Sequence, residues 1–218
     1  MIHGPNLEVL IATSNAGKIR EIKESLRVVP VNIRYLWEFP EISAVDEVGE
    51  TYEENAIIKA LSYSKQTGVC ALADDSGLEV DALGGLPGVL SARYGGSQAS
   101  DCERTEKLLM ALAPHPRHQR TARFACCLAL AGWPPGESKA SIEDPHVLHV
   151  SQGKCEGIIG EEPHGTNGFG YDPVFYPVGY DRTFAELPSA VKNVISHRAH
   201  ALAAMGRFLN HRMLELDR

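Results

Sequence analysis

The sequence predicts a mixed α/β fold, an open β-sheet with helices on its flanks. Three observations carry this: apolar strand-like runs at residues 9–12 and 69–72 alternate with helical patterns, two capping-box signatures open helices, and the middle of the chain reads as a meander of strands. With 218 residues the chain can bury a large core, as one domain or as two lobes.

Taken in order, Val9-Leu10-Ile11 reads as a buried strand, followed by a small-residue loop and a helix with Ile19, Ile22 and Leu26 at helical spacing. Thr51 and Glu54 form a capping box opening a helix through about Gln66, with Ala56/Ala60 and Ile57/Leu61 on one face. Val69 to Leu72 is a buried run ending in Asp74-Asp75 and a turn-forming Ser76-Gly77, with a Gly/Pro-rich loop at 84–88 beyond it. A second capping box, Ser100 and Glu103, opens a helix ending near Leu112. Strands are predicted at 121–131 and 146–151, separated by Gly132-Trp133-Pro134-Pro135-Gly136 and a polar stretch to Pro145. Ser196 can cap a C-terminal helix carrying Ile195, Ala199, Leu202, Leu209 and Met213 on one face. There are no repeats and no low-complexity tract.

Four segments carry chemistry. A strand that ends in adjacent carboxylates is a platform for a hard divalent cation such as Mg²⁺, which takes a few carboxylate oxygens and completes its shell with water and phosphate; the alternative for Asp74-Asp75 is an Asx-turn. Thr13-Ser14-Asn15-Ala16-Gly17-Lys18 places small polar residues and a lysine where a strand gives way to a helix start, a site for polyphosphate. This is no Walker A loop, because Ala12 and Ile19 stand where that motif needs Gly and Ser or Thr, which argues against a kinase. An ordinary N-cap at Ser14 or Asn15 explains the same residues. In Asn167-Gly168-Phe169-Gly170-Tyr171-Asp172-Pro173, glycines on both sides of Phe169 let backbone approach a ligand and leave an aromatic face for base stacking. His197 and Arg198 fall in the first turn of the last helix, a misfit for cations at the positive end of a helix dipole, which suggests an anionic or carbonyl-rich ligand.

Together, Thr-x-Asn-x-x-Lys at 13–18, Ala-Asp-Asp-Ser-Gly-Leu at 73–78, Leu86-Pro87-Gly88, Ser91-Ala92-Arg93-Tyr94, Phe-Gly-Tyr-Asp-Pro at 169–173 and Ser-His-Arg-Ala at 196–199 resemble the inosine triphosphatase family, the pyrophosphatases of non-standard purine nucleoside triphosphates. The match runs from about residue 7 to about 210 with every motif in order. The resemblance implies an elongated mixed sheet with two lobes around a nucleotide cleft, a homodimer, and hydrolysis of ITP, dITP or XTP to the monophosphate and pyrophosphate. By the same resemblance Thr13 to Lys18 hold the polyphosphate, and Glu47 and Asp75 bind Mg²⁺, with Asp46 and Asp74 as neighbours that can share it. Asp75 also accepts a proton, with Ser76 beside it at the substrate. Phe169, Gly170, Tyr171, Asp172, Lys192, His197 and Arg198 recognise the nucleoside. Residues 133–146 look like an enlarged hairpin connection relative to the family. The alternative from another class is a purine nucleotide sensor that kept the pocket without the chemistry.

A net charge of −7 with no Lys/Arg-rich stripe argues against nucleic acid as the main partner. Five cysteines form no CxxC pair, so reduced core thiols are expected in place of zinc ligands; nine histidines include no HExxH, and His115 and His118 sit in a Pro-containing connector where solvated loop positions are expected. The first residues lack the charged and apolar regions of a signal peptide, and no apolar run approaches the ~20 residues that span a bilayer, so no membrane partner and a cytoplasmic location are expected.

Overall fold

The computed structural model describes residues 7–96, 98–133 and 144–216, the side chains of 213–216 excepted. Six strands, β1 (Leu7–Ile11), β2 (Val31–Tyr35), β3 (Cys70–Val80), β4 (Thr121–Gly132), β5 (His146–Ile159) and β6 (Phe175–Pro177), form one sheet in the order β2-β1-β3-β4-β5-β6. The sheet is mixed, as expected: β1 pairs in parallel with β2 and β3, and β5 pairs antiparallel with β6. Among the described residues five helices accompany it: α1 (Ala16–Ser25), α2 (Tyr52–Thr67), α3 (Asp101–Leu112), α4 (Ser189–Ile195) and α5 (His197–Leu216).

The helix starts follow the capping chemistry of the sequence. Thr51 Oγ1 accepts from Glu54 N at 3.1 Å while Glu54 Oε2 accepts from Thr51 N at 3.2 Å, opening α2; Ser100 and Glu103 repeat the arrangement at α3. Asn15 caps α1, its Oδ1 accepting from Lys18 N at 3.0 Å.

The chain divides into two compact units, residues 1–75 with 127–152 and 201–218, and residues 76–126 with 153–200. The core of the first is small-residue packing of β1, α2, β3 and β4: Leu10, Ala56, Ala60, Ala71, Ala73, Cys127 and Ala129. The second is built on larger side chains, with Phe124, Phe175 and Phe184 clustered beside Leu78, Leu108, Leu112 and Val174.

Four expectations need correcting. Strand β3 does not end at the carboxylates but continues through Ser76-Gly77 to Val80, because Leu78 and Val80 are wholly buried and repay extension of the chain. Strand β5 runs to Ile159, eight residues past the predicted end, its later half alternating exposed and buried. The segment before Ser196 is a separate short helix, α4, so Ile195 is not on the last helix. The buried stripe of α5 is instead Arg198, Leu202, Met205, Leu209 and Arg212, with Ala199 only half-buried, and the Met213 side chain lies outside the described residues. Cys102 is exposed on α3, whereas Cys70, Cys126, Cys127 and Cys155 are buried thiols as expected. Of the connection expected at 133–146, residues 134–143 lie outside the described residues. Among the described residues no helix is long and apolar enough to cross a membrane.

Candidate active site

In the first unit, α1, the 46–50 loop, α2 and β3 gather the acids and lysines. Asp74 and Asp75 are adjacent in β3 and both buried. Lys18, on the first turn of α1, forms an ion pair with Asp74 Oδ1. Lys59, on α2, donates from Nζ to Glu47 Oε1 at 2.5 Å, to the Asp74 carbonyl at 2.7 Å and to Asp75 Oδ1 at 3.4 Å. Glu47 and Asp75 thus meet on one ammonium group, while Asp46 is exposed, so Glu47 is the loop acid that turns toward β3. In the 13–18 segment, Thr13 Oγ1 accepts from Asn15 N at 3.2 Å. Thr13 and Asn15 therefore shape the loop that leads to the N–H groups of Ala16 and Gly17, with Ser14 exposed beside them.

Three carboxylates face two ammonium groups here, and the imbalance is visible in their proton affinities. Burial is the largest influence on Asp75 and raises its pKa; with smaller contributions from Glu47 and Asp74 it outweighs the lowering by Lys59 and Lys18. Burial alone would lower Lys59, but Asp75, Glu47 and Asp74 overcome it and hold the lysine above its ordinary value. The rise at Asp75 is an effect of burial, whereas the rise at Lys59 reflects the excess of acids around it. That excess and an all-oxygen donor set suit a hard divalent cation held by Glu47 and Asp75. Among the described residues no group of three or more His, Cys, Asp or Glu side chains is arranged as a metal cage. Two carboxylates suffice where the ion keeps water and takes phosphate oxygens.

Lys59→Met is expected to be strongly destabilising, since breaking a buried pair costs on the order of 3 kcal/mol or more and leaves Glu47 and Asp75 facing each other. The pH dependence has a definite sign. A lysine whose folded pKa lies above its unfolded one contributes its full stability below about pH 10.4 and loses it as pH rises through the folded value. Thermal unfolding should show a wide gap between wild type and variant at pH 8 that narrows above pH 11. A constant gap would mean that lost packing, not charge, is responsible.

In the second unit, Ser76 on β3 accepts from Arg198 Nη2 at 2.8 Å. Arg198 is 1 % exposed, which explains how a cation is tolerated in the first turn of α5: Ser76 and the Phe169 ring, 5.7 Å from its Cζ, receive it. Lys192, on α4, forms a buried ion pair with Asp172 and lies 4.7 Å from the Phe169 ring centre and 5.6 Å from that of Phe184. Asp172 Oδ2 also accepts from Phe169 N at 2.9 Å, and Asp101 Oδ2 from Gly170 N at 2.7 Å. The turn so held needs positive φ at Gly168 (79°) and Gly170 (63°), which accounts for the glycines around Phe169. Phe169 is half-buried with two cations on its ring, so it is a platform for cationic donors as much as a stacking face.

Two residues expected at the nucleoside are buried. Tyr171 is core: it is 4 % exposed, its hydroxyl donates to the Ser91 carbonyl at 3.0 Å, and burial pushes its pKa up. His197 is buried and stacked on Phe124 at 4.8 Å and 13°. Sequence reasoning missed Lys59 and Asn55. Both were marked by helical spacing: once the capping box sets the register, they fall in the buried stripe with Ala56 and Ala60, where polar side chains require partners.

The Ham1 family model matches residues 9–208. The chain belongs to the Ham1 family. Its relatives include a dITP/XTP pyrophosphatase of Bacillus licheniformis, 47 % identical over 203 residues that cover 93 % of this chain and 98 % of the relative. A dITP/XTP pyrophosphatase of Bacillus subtilis is 46 % identical, with 93 % and 96 % covered. Among solved structures, a HAM1 protein from Coxiella burnetii superposes with a TM-score of 0.81 at 43 % identity, covering 94 % of this chain and 99 % of that one. The Staphylococcus aureus Ham1 protein follows at 0.78 and 38 %, with 94 % and 98 % covered. The mixed α/β architecture of this Ham1 chain is therefore shared with its solved relatives.

Proposed function

We propose that this protein hydrolyses deaminated purine nucleoside triphosphates, ITP, dITP and XTP, to the nucleoside monophosphate and pyrophosphate, removing them before a polymerase can use them. The observation that carries the reading is 46–47 % identity, over more than 90 % of both chains, to proteins named dITP/XTP pyrophosphatase. The chemistry of the two clusters supports it. The start of α1, with Lys18 in its first turn, suits the phosphate chain. Asp75, its proton affinity raised by burial, suits orientation and deprotonation of the attacking water. Glu47 and Asp75 would hold Mg²⁺, which when bound offsets charge on the phosphates.

In the second unit, Arg198 and Lys192 are donors suited to the carbonyl at purine position 6. Adenine carries an amino group there, a donor that would face these cationic donors in place of an acceptor, at a cost sufficient to reject it. Guanine shares the carbonyl, so rejection of its 2-amino group falls to the shape of the pocket. Initial rates on a panel of triphosphates test the reading: ITP, dITP and XTP should be strongly preferred over ATP, activity should vanish with a chelator, and Mg²⁺ should restore it. Chelator-resistant hydrolysis would remove the metal from the account.

A homodimer and a cytoplasmic site of action complete the proposal. Leu86 and Leu90, 47 % and 40 % exposed on either side of the buried Pro87, support the first. Sedimentation should then give about twice the 23.7 kDa chain mass, and a monomer at micromolar concentration would contradict it.

A further inference from the structure

We propose that Asn55 is a positioning residue that fixes the relative placement of the two acids Glu47 and Asp75. This rests on the reading above that those acids lie at the reactive centre. Asn55 is 1 % exposed, on α2, one turn before Lys59. Its amide is engaged on two sides: Oδ1 accepts from Gly49 N at 2.8 Å, while Nδ2 donates to Asp75 Oδ2 at 3.2 Å and weakly to the Gly49 carbonyl at 3.4 Å. Gly49 stands two residues after Glu47, so a single side chain ties the backbone of the Glu47 loop to the carboxylate of β3. The loop packs directly on that amide, since a Cβ at Gly49 would come within 2.9 Å of Asn55 Oδ1 and 2.7 Å of Glu54 Cβ.

Lys59 touches the same two acids, but through a flexible chain and a charge that attracts from any direction. The Asn55 amide supplies direction. By holding Asp75 Oδ2 it turns Oδ1 toward the Lys59 ammonium, and by holding Gly49 it prevents Glu47 from swinging away with its loop. It is also neutral, whereas another acid here would add to the excess of negative charge and another lysine would compete with Lys59. Only an amide of this length offers an acceptor to the loop N–H and a donor to the carboxylate at once.

Asn55→Asp separates positioning from simple loop anchoring, because it keeps the acceptor for Gly49 N and replaces the donor to Asp75 with a carboxylate. The kcat for ITP is expected to fall about 10²-fold with KM nearly unchanged, as misplacement of a reacting group by about 1 Å costs that much. Wild-type kcat in Asn55→Asp, or a loss confined to KM, would reduce Asn55 to a loop anchor and overturn the proposal. Thermal unfolding of the ligand-free protein tests the contact without reference to activity. Asn55→Asp should lower the midpoint by several degrees, and the double variant Asn55→Asp with Asp75→Asn, which reverses donor and acceptor, should recover it while remaining inactive. Additive midpoint changes would overturn the contact even in an active enzyme. Recovered midpoints in a protein whose wild type spares ITP would leave the contact standing and sink the functional reading alone.

Discussion

Asp75→Asn is expected to lower kcat at least ~10²-fold while leaving the ligand-free fold as stable as wild type, or more so. The substitution keeps shape, and its single amide oxygen can still accept from Asn55 Nδ2, which leaves the amino group on the side of Lys59, where the wild-type contact is long at 3.4 Å; it cannot accept a proton or hold a cation by charge. The stability half follows from the raised pKa of Asp75. Burial, with Glu47 and Asp74, outweighs the attraction of Lys59 and Lys18, so ionising this side chain costs the folded state more than the unfolded chain. The sign is definite: a carboxyl whose folded pKa is raised makes stability fall as pH climbs from the unfolded value, near 3.9, through the folded one, and the penalty persists at neutral pH. Asparagine lacks that penalty. Calorimetric unfolding of metal-free protein should therefore show the variant's advantage at pH 7 shrinking toward pH 4. An inactive variant that is markedly less stable at pH 7 would mean that Asp75 is a structural ion-pair partner first.

Arg198→Met should lower kcat/KM for ITP by about 10- to 10²-fold and for ATP by much less, a charged hydrogen bond being worth roughly 1.5–3 kcal/mol. Methionine retains most of the buried volume, so the change removes the donor that reaches Ser76 and the cation beside Phe169 without opening a large cavity. The comparison between bases is the informative part. Only a substrate with a carbonyl at position 6 loses a bond when the donor goes. Equal losses on ITP and ATP would place Arg198 at the phosphates, and unchanged ITP turnover would take it out of the substrate site.

The local elements were legible because their signals are local. Capping boxes at Thr51 and Ser100 and the asparagine cap at Asn15 are satisfied within three residues, and the structure places the starts of α1, α2 and α3 there. The end of β3 was misjudged for the opposite reason. Ser76-Gly77 carries turn propensity, and what overrides it is the burial of Leu78 and Val80 by residues distant in sequence. Resemblance to a family brought out Glu47, which by itself reads as a loop acid. The Tyr171 hydroxyl is bonded to Ser91, eighty residues away, a pairing that no spacing rule reveals. Asn55 and Lys59 lay between these cases, polar residues in a stripe otherwise read as core.

The most direct test of the central claim is the identity of the products formed from ITP by the purified protein with Mg²⁺, resolved by phosphorus NMR. Inosine monophosphate and pyrophosphate in equal amounts, with ATP largely spared under the same conditions, is the expected result; orthophosphate and inosine diphosphate, or ATP consumed as fast as ITP, would contradict it.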